Sequence, residues 1–238
     1  MKKLLLALLS LCIISCSKGT EPEPKLTSYI YKLNQGETAY IKGENLDNVI
    51  FESDYNYVAS VNGRSIKANY VGEAFLKSVD SRLSCKVEVI AKHELFTIEY
   101  WKDYFRFAWG TPMETIEYRL NGLANNYFLQ TKTYDNNIPY VIYHFDYNNK
   151  LDYYALVVKL SYGTKLVDYL AERYEPLQQV STYDFAFIHR DKKDNPDLLV
   201  YVSISTSQIL VIYMPPTKTK AGDIDLEALH RMVENKIN

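Results

Sequence analysis

The sequence predicts a two-domain protein, an all-β sandwich followed by an α+β domain. Three observations lead to this fold class. Residues 28–91 consist of short alternating apolar and polar runs separated by turn residues, the pattern of half-buried strands. Residues 92–216 contain two stretches of helical period, each followed by strand patterns. The 22 tyrosines and the frequent Val, Ile and Phe residues favour a sheet-rich protein.

Residues 1–15 have the composition of an export signal, in which two lysines precede an apolar run ending at Ile14. The run is too short for a permanent membrane helix, which takes roughly 20 residues. Ile13-Ile14-Ser15-Cys16 resembles the lipobox of bacterial lipoproteins. The resemblance implies lipidation of Cys16 and a lipid-anchored protein of the cell envelope, in the outer membrane, on its periplasmic or surface side. A plain secretory signal is the alternative, but it needs no cysteine at the cleavage site.

The net charge and the number of cysteines restrict the functions that this chain can have. Removal of residues 1–15 takes away two lysines and leaves 25 Lys and Arg residues and 29 Asp and Glu residues. The formal charge therefore falls from −2 to −4. This acidity provides no basic surface for nucleic acid, and we expect attachment to the membrane through the lipid alone. Cys12 leaves with the signal and Cys16 takes the lipid. Cys85 then has no disulfide partner, and its strand pattern suits a small buried side chain.

Residues 16–27 predict a lipidated tether. They are polar and contain two prolines, so they lack the apolar surface that a core requires. The stretch is expected to be extended and to hold the folded part of the chain away from the bilayer.

Residues 28–91 predict the sandwich. Asn62-Gly63 lies between two strand patterns and indicates a hairpin, because both residues tolerate a positive φ. The segments Phe51–Asp54, Val58–Gly63, Val71–Ala74 and Cys85–Val89 resemble, in that order, the group 2 bacterial immunoglobulin-like domain. Phe51 departs from the many members that carry Trp there. The resemblance implies an immunoglobulin-like module that acts as a stalk or spacer, or in some proteins as part of an adhesin.

Residues 92–216 predict two helices and six strands. Thr111-Pro112-Met113-Glu114 has the form of a capping box with Thr111 as the cap, and Gly122 can end that helix. The second helix is predicted over residues 164–174. Its apolar face comprises Leu166, Val167, Leu170 and Tyr174. The strands are predicted at 127–133, 138–146 and 151–160, then at 182–190, 198–205 and 208–214.

The order helix-strand-strand-strand therefore occurs twice. Trp109-Gly110-Thr111 and Tyr162-Gly163-Thr164 open the two helices, which supports an internal repeat. Each helix has one apolar stripe, so we expect an antiparallel sheet with both helices on one face. This layout resembles units of β-lactamase-inhibitor proteins and of small outer-membrane assembly lipoproteins. The helix starts also resemble those in lipoproteins of gut-commensal bacteria. Residues 217–238 are expected to form a tail with a short helix.

Two His-x-Asp pairs are the candidate metal ligands, His144 with Asp146 and His189 with Asp191. Residues i and i+2 of a strand face the same way, so each pair could present two ligands together. A zinc site needs three or four ligands at characteristic spacing, and polar residues that end strands before turns explain the pairs better. We therefore expect no metal and no cofactor.

Five tyrosines cluster around one predicted hairpin and form the candidate binding surface. They are Tyr140, Tyr143, Tyr147, Tyr153 and Tyr154. Tyrosine has an apolar ring and a polar tip, which suits protein interfaces and, by the same logic, sugar rings. Filling of the core and of cross-strand pairs is the favoured interpretation of so many tyrosines, and an exposed surface is the functional alternative.

The sequence contains no Gly-x-Ser-x-Gly, phosphate-loop or His-Glu-x-x-His motif, which favours a protein that is not an enzyme. The expected function is binding or adhesion, in which the sandwich is a spacer and the α+β domain recognises an unknown protein or glycan. An inhibitor or assembly factor of another envelope protein is the alternative. A glycan hydrolase with two carboxylates distant in sequence is the third hypothesis.

Overall fold

The computed structural model describes residues 22–94, 107–133, 135–179 and 181–216. Within these ranges the protein is predominantly β-sheet, with two α-helices. The strands are β1 (Lys25–Leu26), β2 (Ile30–Asn34), β3 (Thr38–Tyr40), β4 (Gly43–Glu44), β5 (Phe51–Ser53), β6 (Ala59–Asn62), β7 (Ser65–Ala68), β8 (Gly72–Ser78), β9 (Ser84–Ile90), β10 (Phe128–Lys132), β11 (Tyr140–Phe145), β12 (Leu151–Lys159), β13 (Glu175–Gln179), β14 (Asp184–Arg190), β15 (Pro196–Ile204) and β16 (Gln208–Met214). The helices are α1 (Met113–Leu120) and α2 (Gly163–Arg173), and a 3-10 turn at Leu160–Tyr162 precedes α2.

Several predicted features lie outside the described residues. They include the signal at 1–15, the lipid site Cys16 and the tail at 217–238. In the ranges that the structure describes, neither helix has the length and apolar character that a membrane crossing would require.

The N-terminal region, residues 22–91, encloses its own core between two main sheets. One sheet has the order β2-β9-β8-β5 and the other the order β3-β7-β6. β2 runs parallel to β9, and the other pairs in these two sheets are antiparallel. Alternate residues of each strand face inward, so side chains such as Ile66, Leu76 and Val87 are fully buried. Cys85 is also buried, at 2% exposure.

The predicted hairpin forms between β6 and β7, with one difference in its tip. Asn62 pairs with Ser65, so Gly63 and Arg64 are the two loop residues. Gly63 has a φ of 58°, whereas Asn62 remains in the strand. Glycine provides the left-handed conformation here, and asparagine only flanks it.

The C-terminal region, residues 107–216, contains a single antiparallel sheet of seven strands. Their order is β10-β11-β12-β16-β15-β14-β13, which places the last strand in the centre. Ile116 of α1 and Leu166 and Leu170 of α2 pack into one core cluster with the same sheet face. A second cluster, which includes Ile142 and Tyr201, lies on the opposite face. Both described helices therefore cover one side, as the sequence predicts.

The edge strand β13 was not predicted. Pro176 and the polar residues beside it do not form an alternating apolar pattern. Proline is tolerated at a sheet edge because it has no N–H to donate to a further strand. With β13 included, the second helix is followed by four strands, and β16 is the one without a counterpart in the first unit.

Both helices differ from the prediction in details: α1 at its two ends and α2 in the face that it buries. The Thr111 hydroxyl donates to the Ala108 carbonyl, and Pro112 is the cap without a side-chain hydrogen bond, so the capping box does not form. Asn121, with a φ of 49°, takes the left-handed position that was expected of Gly122. In α2, Val167 is 62% exposed because it points about 100° away from Leu166.

The internal repeat is clearest in two hairpins. Asp146 after β11 accepts the N–H groups of residues 148 and 150, and Asp191 after β14 accepts those of residues 193 and 195. Asn149 and Asp194 supply a left-handed residue to each turn, with φ of 57° and 63°. Each matched pair is 45 residues apart, whereas the two helix starts, Met113 and Gly163, are 50 apart.

Candidate functional site

The five tyrosines of the candidate surface do not form one exposed patch. Tyr143 and Tyr154 lie in the cluster under the helices, and Tyr153 lies in the cluster on the opposite face. All three are at most 4% exposed. Tyr140 packs against the second cluster, and Tyr147, in the turn, is 85% exposed. Neighbouring residues of a strand point to opposite faces, which divides the set and corrects the prediction of one binding surface.

The first His-x-Asp pair does not act as a pair. The Nδ1 atom of His144 lies 3.2 Å from Oδ2 of Asp152, on the adjacent strand. The imidazole stacks on Tyr153 with ring centroids 4.4 Å apart. Asp146 instead accepts the backbone N–H groups of its turn, so its carboxylate is committed to the hairpin.

The second pair repeats this arrangement. Nδ1 of His189 lies 2.6 Å from Oδ1 of Asp197, while Asp191 accepts backbone N–H groups. Those hydrogen bonds, chiefly the one from Asn195, lower the pKa of the Asp191 carboxyl. In the described part of the chain, no group of three or more His, Cys, Asp and Glu side chains is arranged for a metal ion.

His189 differs from His144 in what it contacts. Tyrosines of the N-terminal region surround it, and we call Tyr55, Tyr57, Tyr70 and His189 the junction. Tyr57 stacks on Tyr70 with centroids 4.5 Å apart and meets the His189 ring edge-on at 4.9 Å. Tyr55 approaches the same imidazole at 6.5 Å. The junction joins the two regions through aromatic contacts that no local sequence pattern indicates.

Hydrogen bonds to main-chain atoms of the C-terminal region fix the positions of Tyr55 and Tyr57 in the junction. The Tyr57 hydroxyl lies 2.8 Å from the carbonyl oxygen of Arg173 and 3.0 Å from that of Ile188, and it accepts the N–H of Glu175 at 3.2 Å. The Tyr55 hydroxyl donates to the Arg190 carbonyl at 2.5 Å. Burial raises the pKa of Tyr57 far above its usual range and that of Tyr55 to about 12, so both remain proton donors at neutral pH.

A buried carboxylate fixes residues 92 and 93, here called the linker, where the chain leaves the N-terminal region. Glu172 of α2 is 7% exposed and accepts the backbone N–H groups of Lys92 and His93. Its other oxygen lies 3.0 Å from Nδ1 of His93. The Glu172 carbonyl accepts the N–H of Val71, 2.9 Å away. One residue of α2 therefore binds both the linker and the turn before β8.

A groove of about 630 Å³ opens beside the junction. Its walls come from both regions of the chain, so neither region forms it alone. The N-terminal wall comprises Gln35, Gly36, Asn56, Tyr57, Lys67, Ala68, Asn69 and Tyr70, and the C-terminal wall comprises Glu175, Arg190 and Asp194. The volume lies within the range of about 300–1,000 Å³ that is usual for small-molecule sites.

The charged groups of the groove largely satisfy one another. Nε of Arg190 donates to Oε2 of Glu175 at 2.8 Å, and Nη1 donates to the Asp194 carbonyl at 3.2 Å. Burial, and then the nearby Glu175 carboxylate, raise the pKa of Tyr70, so its hydroxyl keeps its proton. The groove thus offers amides, a hydroxyl and an aromatic ring around a neutralised ion pair.

The sequence contains the tyrosines of the junction, but no sequence pattern predicts their contacts. Tyr55, Tyr57 and Tyr70 lie in or beside the strand patterns of the N-terminal region, where aromatic residues normally fill a core. The hydrogen-bond partners of Tyr55 and Tyr57 are more than 100 residues away along the chain. Cys85 is buried, as its strand pattern predicts, and burial raises its pKa to about 11, which suits a core side chain and not a nucleophile.

Comparisons with known proteins define no family for this chain. No family model matches it, and no curated protein matches it. Among solved structures, it is similar to domains 4–9 of the surface-layer protein SbsC, with 10% identity, a TM-score of 0.23 and coverage of 84% of this chain and 27% of the other. Domains 5–6 of the same protein give 11% identity and a TM-score of 0.24 over 84% and 86% of the chains. The chain thus spans about a quarter of the first structure.

Proposed function

We propose that this chain is a lipid-anchored protein of the bacterial cell envelope that binds a protein or glycan without catalysis. Residues 28–91 would be the immunoglobulin-like domain and residues 92–216 the α+β domain. The observation that carries the binding function is the groove, because both regions build it and several of its polar groups remain available to a ligand.

The outer face of the N-terminal region supports a spacer role for its remaining surface. Lys32 pairs with Glu88 across β2 and β9, and Lys86 pairs with Glu73 across β9 and β8. Such cross-strand charge pairs keep a sheet face solvated and discourage association. The junction adds a second role, since the spacer also supplies one wall of the binding site.

The test is capture of ligands from cell-envelope and host-glycan extracts by the full-length protein in detergent. We expect wild type and Tyr147→Ala to retain the same ligand and Tyr70→Ala to lose it, because Tyr70 lines the groove and Tyr147 lies in a turn outside it. Retention that is equal in all three proteins would place the binding surface elsewhere. A captured envelope protein whose activity or assembly changes would favour the inhibitor or assembly-factor hypothesis.

The membrane anchor needs its own test. The Cys16→Ser variant should lose incorporation of labelled palmitate and should leave the membrane fraction, because the thiol is the proposed lipid acceptor. Continued labelling and membrane association of that variant would contradict the lipoprotein assignment.

One observation favours a hydrolase as a second candidate. Glu175 and Asp194 line the same groove, and a pair of carboxylates in a cleft is the usual equipment of a glycosidase. Arg190 lies between them, 2.8 Å from Glu175 and 3.9 Å from Asp194, which ties both carboxylates to one cation. Release of new reducing ends from a retained glycan, abolished in Glu175→Gln, would replace the binding function by hydrolysis.

A further inference from the structure

We propose that the groove binds a neutral oligosaccharide. The inference rests on the proposed function, since it names the ligand class of the same surface. It depends on three properties of the groove: the balance of its charges, the polar groups that it leaves unused, and the position of the Tyr70 ring.

The charges of the groove cancel. Lys67 and Arg190 provide two positive groups, and Glu175 and Asp194 provide two negative groups. Arg190 is already held by Glu175 and by the Asp194 carbonyl, so it is not free for a bidentate contact with a carboxylate or phosphate. An anionic or cationic ligand would gain little from this balance, which favours a ligand without net charge.

Three polar groups of the groove have no hydrogen-bond partner among the described residues. They are the Tyr70 hydroxyl, the Asn56 side-chain amide and the Lys67 ammonium, which together offer both donors and acceptors. Sugar hydroxyls donate and accept, so they can satisfy this mixed set. The apolar lining is limited to two tyrosines, Ala68 and Gly36, which leaves no hydrophobic pocket of the kind that anchors a peptide side chain.

Tyr70 is held in place before any ligand arrives. Its ring stacks on Tyr57 at an interplanar angle of 19°, and Tyr57 is fixed by main-chain hydrogen bonds of the C-terminal region. A pre-positioned ring loses little conformational freedom on binding, which improves affinity for a weakly interacting partner. The apolar face of a sugar ring is suited to such an aromatic surface.

The experiment is native affinity electrophoresis of the full-length protein in detergent through gels that contain one polysaccharide each. The neutral probes are dextran, laminarin, xylan and galactomannan, and the anionic probes are polygalacturonate and chondroitin sulfate. Two groove variants, Tyr70→Ala and Lys67→Ala, are compared with Tyr147→Ala, which changes an exposed tyrosine outside the groove. The exposed Lys67 supports no core contact, so its variant tests the site even if Tyr70→Ala unfolds.

We expect at least one neutral polysaccharide to retard wild type and Tyr147→Ala, and both groove variants to bind it about tenfold more weakly. Retardation by the anionic probes alone would refute the ligand class, and equal retardation of all variants would refute the site. If no polysaccharide retards the protein but an envelope protein is captured, the glycan inference fails and the binding function stands. If neither glycan nor protein is retained, both fail.

Discussion

The two histidine hairpins of the C-terminal region have the same local design and different surroundings. In each, a histidine pairs with an aspartate eight residues later, and a second aspartate closes the turn. His144 stacks on Tyr153 within its own sheet, on the face opposite the helices. His189 contacts Tyr57 of the N-terminal region and Tyr174 beside the helices. Similar local sequences therefore give one histidine that packs within its own sheet and one that contacts the N-terminal region.

The difference follows from which sheet face each histidine occupies. Positions 45 residues apart lie on opposite faces, as the buried clusters show: Ala155 belongs to the face away from the helices and Val200 to the face under them. The N-terminal region docks where the second hairpin reaches the helix side. The repeat thus packs His144 against aromatic rings of its own sheet, whereas the equivalent His189 contacts tyrosines of the N-terminal region.

The largest effect is expected from breaking the junction at Tyr57. Tyr57→Ala should lower the free energy of unfolding by about 3–5 kcal/mol, because it removes a buried ring and the hydroxyl that binds three main-chain groups. Urea denaturation measures it, with Tyr118→Ala as the control. Tyr118 is 90% exposed, and its loss should cost less than about 0.5 kcal/mol. Similar values for both variants would mean that the junction contributes no stability.

A smaller loss is expected at the linker anchor. Glu172→Gln should destabilise the protein by about 1–2 kcal/mol, since charge-assisted acceptance of the Lys92 and His93 N–H groups is weakened. The matched control is Glu114→Gln on α1, an exposed position. Equal unfolding midpoints for the two variants in urea would show that the buried carboxylate does not hold the linker.

Amide hydrogen exchange should distinguish the roles of the two histidines most directly. His189→Ala should speed exchange of the Val71 N–H, which bonds to Glu172 across the regions, by about tenfold. His144→Ala should leave that amide unchanged, because its contacts lie within one sheet. Faster exchange in both variants would indicate that the hairpins are coupled through the sheet and not through the junction.

The smallest effect concerns pH at the second turn. Backbone hydrogen bonds lower the pKa of Asp191 below its ordinary value of about 3.9, so its stabilising contribution is present above about pH 4. That contribution is lost as the pH falls through the lower value of the folded state. Asp191→Asn should therefore flatten the dependence of the thermal unfolding midpoint on pH below 4. An unchanged acid slope would contradict this role.

Sequence reasoning predicted most local elements of the C-terminal region. All six strands predicted after residue 120 are present, because runs of strand-forming residues between turn residues mark a strand even where both of its faces are buried, as in β16. It missed β13, where Pro176 interrupts the pattern at an edge. It also assigned Val167 to the buried face of α2, although apolar character alone does not define a helix face.

The candidate site was predicted less well than the fold. Five tyrosines near one hairpin look like a surface in sequence, but alternation along β11 and β12 sends them to both faces. The tyrosines that do meet across regions, Tyr55 and Tyr57, have hydrogen-bond partners more than 100 residues away. No periodicity carries information over that separation, since it reflects only neighbours along the chain.

The sequence by itself determined most of the strands and both described helices, that the described sheet of the C-terminal region is antiparallel, and that two of its hairpins are related. These features follow from side-chain period and turn chemistry, which act within about ten residues. Only the tertiary structure decided that Glu172 anchors the linker, that Tyr57 binds main-chain atoms of another region, and that a neutral groove lies beside them. Each of these depends on how two separate cores dock, and docking is set by surface shape and unpaired polar groups that have no sequence period.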